Sequence, residues 1–170
     1  MQVVIDVACS FAFAKVYTSK MPITAADVLY DRVLPFYDRL GIAVGAVSTD
    51  NGREFCWTRE THPYELLLAM EGLEHRTTRV RSPRTNGFVE RMNRTLLDEY
   101  FRVQGRQIWY TEPAEIQRHL DDYLAYYNFE RAHSGYWTRG RTPPQTLYDL
   151  AAATRLLTDG SNGEEEVLRN

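Results

Sequence analysis

The chain has 170 residues, 44% of them hydrophobic and 12% aromatic, which is enough to bury one core. Its net charge of −3 and pI near 5.8 give no overall attraction to nucleic acid, so such binding would need a local basic patch. Two cysteines and four histidines show neither zinc-finger spacing nor a disulfide framework. No apolar stretch approaches the roughly 20 residues that span a bilayer, and no signal pattern opens the chain. These features favour a single domain in a reducing, cytoplasmic setting.

Strands and helices alternate along the chain, which predicts an α/β fold. Strands are predicted at 2–9, 11–18, IAVGAVS and 74–77. Helices are predicted from near Thr24, at 63–71, 87–102 and 113–128, and in a last segment, PQTLYDLAAATRLL. TAAD at Thr24 has the form of an N-terminal cap, Pro35 is expected to kink the first helix or end it early, and Gly41 to stop it. The tail TDGSNGEEEVLRN is polar and acidic and is predicted to be disordered.

The stretch STDNGREF contains the first candidate for a functional carboxylate. Asp50 lies just past the end of a predicted strand, at the edge of an open sheet where ligands usually bind. Asp-Asn-Gly is also a common turn sequence, and taken alone this stretch favours the turn.

The stretch SPRTNGFVERMNRTLLDEY contains the second candidate, Glu90. On a helix that starts at Gly87, Glu90 shares one face with Asn93, Arg94 and Leu97. The opposite face, with Val89, Met92, Leu96 and Tyr100, is the better core face. A capping box would need Ser or Thr in place of Gly87, so Glu90 is either a solvated side chain or a functional one.

The surrounding segment is strongly basic. Between His75 and Arg106 there are eight arginines, no lysine and three acids, in a chain whose total charge is negative. Arginine suits bidentate contacts to phosphate, and Asn86-Gly87 at a helix start would add main-chain N–H groups. A surface that exchanges ion pairs with the acidic remainder is the alternative. Phosphate contacts are predicted for Arg79, Arg81, Arg84, Asn86 and Arg91.

Two carboxylates beside so many arginines indicate metal-dependent phosphodiester chemistry. Carboxylates that converge repel one another unless a cation lies between them. Oxygen-only ligation suits Mg²⁺ or Mn²⁺. The predicted metal ligands are Asp50 and Glu90.

These residues resemble a known family. STDNGREF, EHRTTRVRSPRTNGFVERMNRTL and YNFERAHSGYWTRGRTP are similar to the catalytic core of integrase-type insertion-sequence transposases, relatives of the retroviral integrases. The resemblance runs from about residue 2 to residue 148. It implies a ribonuclease H-like mixed sheet flanked by helices, with the catalytic core at 1–150 and the acidic tail at 151–170.

The resemblance also implies a chemistry. The family holds two divalent metals on an Asp, Asp, Glu triad; water nicks the element's end, and the freed 3′-hydroxyl attacks target DNA. By motif, Asp50 matches the second aspartate and Glu90 the glutamate, while Asn93 and Arg94 match positions that approach DNA. Double-stranded DNA and a homodimer or higher oligomer are the implied partners, and a bacterial cytoplasm is the implied location.

The first aspartate of the triad has no clear counterpart. The family has three antiparallel strands before its first helix, and the first catalytic aspartate lies on the first of them. Only two strands are predicted here before Thr24, and VVIDVACSFAFAKVY resembles the second and third. Asp6 is therefore not expected to be catalytic, and the chain is expected to lack the family's first strand. As an acid in an apolar strand, Asp6 should be satisfied by an arginine or a hydroxyl.

Three functions remain open from the sequence. The first is a transposase catalytic core that is incomplete in this chain. The second is an inactive remnant that binds DNA or dimerises with a complete transposase. The third, a ribonuclease H-like nuclease, is disfavoured by the transposase-like segment YNFERAHSGYWTRGRTP.

Overall fold

The computed structural model describes residues 1–52, 55, 62–78 and 87–154. The chain divides into two compact units. The first unit comprises Met1–Ile5 and Ala12–Leu124, and the second comprises Asp6–Phe11 and Ala125–Asn170. Among the described residues, none of the helices has the length and hydropathy that crossing a bilayer requires. The segment TDGSNGEEEVLRN, predicted to be disordered, lies outside the described residues, whereas residues 151–154, assigned to the tail at 151–170, are helical.

The strands of the first unit form two pairs. Strand β1 (Gln2–Ile5) pairs antiparallel with β2 (Ala12–Lys15), and β3 (Ala46–Thr49) pairs in parallel with β4 (Glu74–Thr77). One pair is antiparallel and the other parallel, and in the described residues each pair is a separate two-stranded sheet. The first two strands are shorter than predicted because the chain leaves the extended conformation after Ile5; Ser10 has a φ of 66°. The strand at 74–77 is confirmed.

The first helix starts earlier than predicted. Helix α1 (Pro22–Val28) follows Met21, which makes no side-chain capping hydrogen bond. The Thr24 hydroxyl instead donates to the Met21 carbonyl oxygen at 2.7 Å, so the capping interpretation of TAAD was wrong. Proline fixes φ near its helical value and has no N–H to satisfy, and this makes Pro22 a suitable first helical residue.

Pro35 does not end this helix. A π-helical turn (Leu29–Val33) follows α1, and α2 (Leu34–Arg39) continues through the proline. A proline ring crowds the carbonyl four residues earlier and offers no N–H, and a widened turn at that place accommodates both effects. Gly41 ends the helix with a φ of 66°, as predicted.

The later helices follow the sequence pattern closely. Helix α3 is Pro63–Met70 and α4 is Gly87–Thr95, which continues through a π-helical segment (Leu96–Phe101) into α5 (Arg102–Gln104). Helix α6 is Pro113–Phe129, and residues 143–154 form a further helix, α7. The predicted core face of α4 is confirmed, because Met92, Leu96 and Tyr100 are buried and Val89 is half-buried.

Gln117 of α6 closes the outer edge of β2. Its side-chain oxygen accepts from the Val16 N–H at 2.7 Å, and its amide nitrogen donates to the Ala14 carbonyl at 3.3 Å. A strand edge with open N–H and C=O groups is a template for unwanted pairing. One amide therefore satisfies part of the ladder and fixes α6 on the sheet.

Candidate active site

Asp50 is exposed and directly follows β3. Its Oδ1 accepts a hydrogen bond from the Gly52 N–H at 2.8 Å, the pattern of an Asx turn. The turn interpretation is therefore correct, and it is compatible with a functional one. A carboxylate offers about four lone-pair sites on its two oxygens, so hydrogen bonding within a turn and binding of a ligand are compatible.

The turn is fastened to the end of β4. The Thr78 N–H donates to the Thr49 carbonyl at 2.9 Å, which extends the parallel ladder by one residue. The Asn51 side-chain amide donates to the Thr78 carbonyl, also at 2.9 Å. These bonds on both sides of Asp50 hold the main chain that carries its carboxylate.

Three side chains beneath the turn form a buried chain of hydrogen bonds. The Thr49 hydroxyl is 2.8 Å from His75 Nε2, and His75 Nδ1 is 2.8 Å from Glu65 Oε1. The His75 and Glu65 side chains are only 7% and 16% exposed. The hydrogen-bond pattern assigns one tautomer to the ring: with Nδ1–H donating to the Glu65 carboxylate, Nε2 accepts a hydrogen bond from the Thr49 hydroxyl. The arrangement links α3, β4 and β3 immediately before Asp50.

Glu90 lies in the first turn of α4 and is exposed. Asn93 and Arg94, one turn further on, are also exposed. The structure therefore brings these three side chains to the solvent-facing side of the helix, opposite buried Met92, as the sequence pattern predicted. Helix α4 packs against β1, which fixes this face relative to the sheet.

Only some of the residues predicted to contact phosphate lie in the part of the chain that the structure describes. Arg91 is exposed on α4 next to Glu90. Arg79, Arg81, Arg84 and Asn86 lie outside the described residues, so their predicted contacts stay predictions.

Asp6 belongs to the second unit, where it organises a turn. Its Oδ1 accepts from the N–H groups of Ala8 at 2.7 Å and Cys9 at 2.9 Å. Its carbonyl accepts from the Ser10 N–H at 2.8 Å. These partners are main-chain amides, which give the carboxylate a structural role in the turn. The expectation that Asp6 is not catalytic stays a prediction.

The donors at the candidate site fit a hard divalent cation. Asp50 and Glu90 offer exposed carboxylate oxygens, the ligand type that Mg²⁺ and Mn²⁺ prefer. Within the ranges that the structure describes, no group of three or more acids, histidines or cysteines is arranged to hold a metal.

Sequence reasoning missed the buried chain of Thr49, His75 and Glu65. These residues are separated by 26 and 10 positions, and no spacing rule connects them. The nearest signal is that each adjoins a predicted element boundary. Thr49 and His75 come together because β3 pairs in parallel with β4, and Glu65 reaches His75 from α3.

The chain is similar to integrases in sequence and in fold. A family model described as "integrase core domain" matches residues 71–143, a segment that includes β4 and α4. The catalytic core domain of BIV integrase has the same fold, with a TM-score of 0.61 and 23% identity, over 91% of this chain and 88% of that one. A chain of the simian T-cell lymphotropic virus intasome, solved with PP2A regulatory subunit B56 gamma, gives a TM-score of 0.62 and 20% identity, over 85% of this chain and 46% of that one.

A curated relative gives a closer comparison. The putative integrase ORF3 of Spiroplasma virus SpV1-C74 is 28% identical over 137 residues, which cover 76% of this chain and 37% of the relative. This chain thus matches little more than a third of the relative's length. Together the findings support the predicted placement in the integrase and transposase superfamily, with a ribonuclease H-like α/β fold.

Proposed function

We propose that this chain is the catalytic part of an enzyme that cuts and joins DNA strands with a divalent metal ion. The observation that carries the proposal is the pair of exposed carboxylates, Asp50 at the fastened end of β3 and Glu90 on α4. The similarity to integrases supports DNA as the substrate. The neighbour named as an intasome supports action as an oligomer.

The chain's own residues have separable tasks in this proposal. Asp50 and Glu90 would hold Mg²⁺ or Mn²⁺, which supplies charge stabilisation and an activated oxygen nucleophile when bound. The fastened turn keeps the Asp50 carboxylate in place, because the main chain on each side of it is hydrogen-bonded to β4. Arg91, Asn93 and Arg94 would contact the DNA backbone close to Glu90.

Metal binding tests the site directly. We expect Mn²⁺ to broaden the NMR amide signals of Asn51, Gly52 and the first turn of α4, because paramagnetic relaxation acts on nuclei near the ion. Glu90→Gln should weaken this binding about tenfold or more, since it removes a charged ligand. Glu112→Gln changes an exposed acid far along the chain and should leave the binding unchanged. Equal Mn²⁺ affinity in Glu90→Gln and wild type would remove Glu90 from the site.

A cleavage assay then decides between the active enzyme and an inactive DNA-binding remnant. Wild type, Glu90→Gln and Asp6→Asn are compared for Mn²⁺-dependent nicking and strand transfer on short duplex DNA. Activity that Glu90→Gln abolishes and Asp6→Asn preserves supports the proposal. Activity lost in Asp6→Asn, from folded protein, would make Asp6 a metal ligand. Folded wild type that binds DNA and does not cut it would support the remnant.

A further inference from the structure

The second unit displays two large aromatic rings on one loop. The loop, residues 131–142, connects α6 to α7. Tyr136 is 74% exposed and Trp137 is 53% exposed, and their rings meet edge to face with centroids 5.0 Å apart. Rings of this size normally contribute to cores or interfaces. An adjacent pair at the surface is a candidate for contact with a partner.

The loop beneath these rings is built from buried hydrogen bonds. Thr138 is 1% exposed, and its hydroxyl donates to the His133 carbonyl at 2.7 Å. The same carbonyl accepts from the Gly140 N–H at 2.7 Å, and the His133 N–H donates to the Arg141 carbonyl at 3.1 Å. A surface held in one conformation loses little entropy when it binds. The rings are therefore preorganised rather than carried on a loose segment.

The charge of this loop selects an anionic partner. Residues 131–142 contain three arginines and no acid. The Arg139 guanidinium lies 5.6 Å from the centre of the Tyr136 ring, and both side chains are exposed. Arg141 has a structural part, because it pairs with Asp149 and donates to the Trp137 carbonyl at 2.7 Å. An exposed guanidinium beside two rings matches a ligand that is both negatively charged and aromatic.

We propose that Tyr136, Trp137 and Arg139 form a stacking surface for the unpaired bases of a DNA single strand. Bases offer flat faces to the rings, and the phosphate beside them offers a partner to the guanidinium. A duplex hides those faces in its own stack, so it would meet only the arginine. Asp50 and Glu90 belong to the first unit and this surface to the second, and the inference rests on the proposed function only for the choice of DNA.

Binding of labelled oligonucleotides tests the surface. The full chain is titrated into a fluorescein-labelled single strand of mixed sequence, about 20 nucleotides long, and anisotropy is followed in EDTA. Trp137→Ala should weaken binding about tenfold, the loss of roughly one stacked base. Trp137→Phe keeps a ring and should retain most of the affinity. Trp109→Ala is the matched control, because Trp109 is 92% exposed and belongs to the first unit.

The outcomes separate this surface from the catalytic proposal. Binding of the single strand that Trp137→Ala leaves at the wild-type level would overturn the inference. So would an equal loss in Trp109→Ala, an equal loss on the matching duplex, or no single-strand binding by the folded wild type. EDTA removes any metal, so this titration measures the stacking surface without the proposed metal site. A stacking surface that survives while cleavage fails would leave this inference standing without the catalytic one.

Discussion

At the scale of single residues, the Asp6 turn controls the chemistry of the one cysteine that the structure describes. Cys9 is fully buried and forms no disulfide. Burial raises the pKa of its thiol to about 12, and the negative charge of Asp6 adds to the effect. Asp6 thus acts on Cys9 twice, because it accepts from the Cys9 N–H at 2.9 Å as well as disfavouring the thiolate. The same turn thus contains a carboxylate with a structural role and a thiol that resists ionisation.

This pKa predicts slow alkylation of the folded chain. At pH 8 the folded state should hold about a thousandth of the thiolate present in an ordinary cysteine, because the pKa is shifted by about three units. We expect iodoacetamide to label Cys9 slowly in buffer and readily in urea, in a Cys56→Ser background. Labelling of the folded chain at the unfolded rate would contradict the burial of this thiol.

The sign of the shift also fixes a pH dependence of stability. The unfolded thiol ionises near its ordinary value of 9.0, whereas the folded thiol keeps its proton to about 12. Between these values the unfolded state binds fewer protons, so the contribution of Cys9 to the free energy of unfolding falls as the pH rises. Below pH 9 both states keep the proton, and this contribution is constant.

At the scale of elements, the β3–β4 pair and α3 form the support for Asp50. Glu65 on α3 and Thr49 on β3 meet at the ring of His75 on β4, which is almost fully buried. The Tyr64 ring packs edge to face on His75 at 5.5 Å, which further restricts the imidazole. Three elements are thus joined by two hydrogen bonds immediately before the candidate metal ligand.

Removing Glu65 should be costly. Glu65→Ala leaves the Nδ1–H of His75 buried without its acceptor, so we expect the free energy of unfolding to fall by about 1–3 kcal/mol. Urea denaturation followed by circular dichroism measures this loss. Glu74→Ala provides the comparison, because Glu74 pairs with Arg76 on exposed side chains and its removal should leave the urea midpoint unchanged. Equal midpoints for wild type and Glu65→Ala would mean that the buried chain does not stabilise the fold.

At the scale of the whole molecule, charge is distributed unevenly. The chain carries a net charge of −3, yet the segment from His75 to Arg106 has eight arginines against three acids. A protein of this overall sign repels DNA at long range, so binding depends on the local patch. Within this segment, Arg91 and Arg94 lie on α4, and both side chains are exposed. Any affinity for duplex DNA should therefore be short-ranged and sensitive to salt.

Salt dependence measures the contribution of one such arginine. Arg94→Gln should weaken binding to all duplex sequences alike and reduce the slope of log K against log salt concentration by about 1, because one phosphate contact is lost. Anisotropy titrations at several salt concentrations give the slope. Arg118→Gln, an exposed arginine on α6, should leave it unchanged. An unaltered slope in Arg94→Gln would remove Arg94 from the interface.

The sequence alone determined the local features of this protein. Hydrophobic periodicity predicted α4 with its core face and most of α6, because side-chain spacing and helix geometry act over a few residues. The solvent-facing grouping of Glu90, Asn93 and Arg94 follows from the same periodicity. Asp50 at a strand end was also predicted, since Asp-Asn-Gly is a local turn signal.

The tertiary structure decided what depends on residues distant in the chain. Parallel pairing of β3 with β4 brought Thr49, His75 and Glu65 into one buried chain that no spacing rule could reveal. Such long-range contacts arise only when chain closure brings separate elements together, and their energies favour one packing that local propensities do not specify.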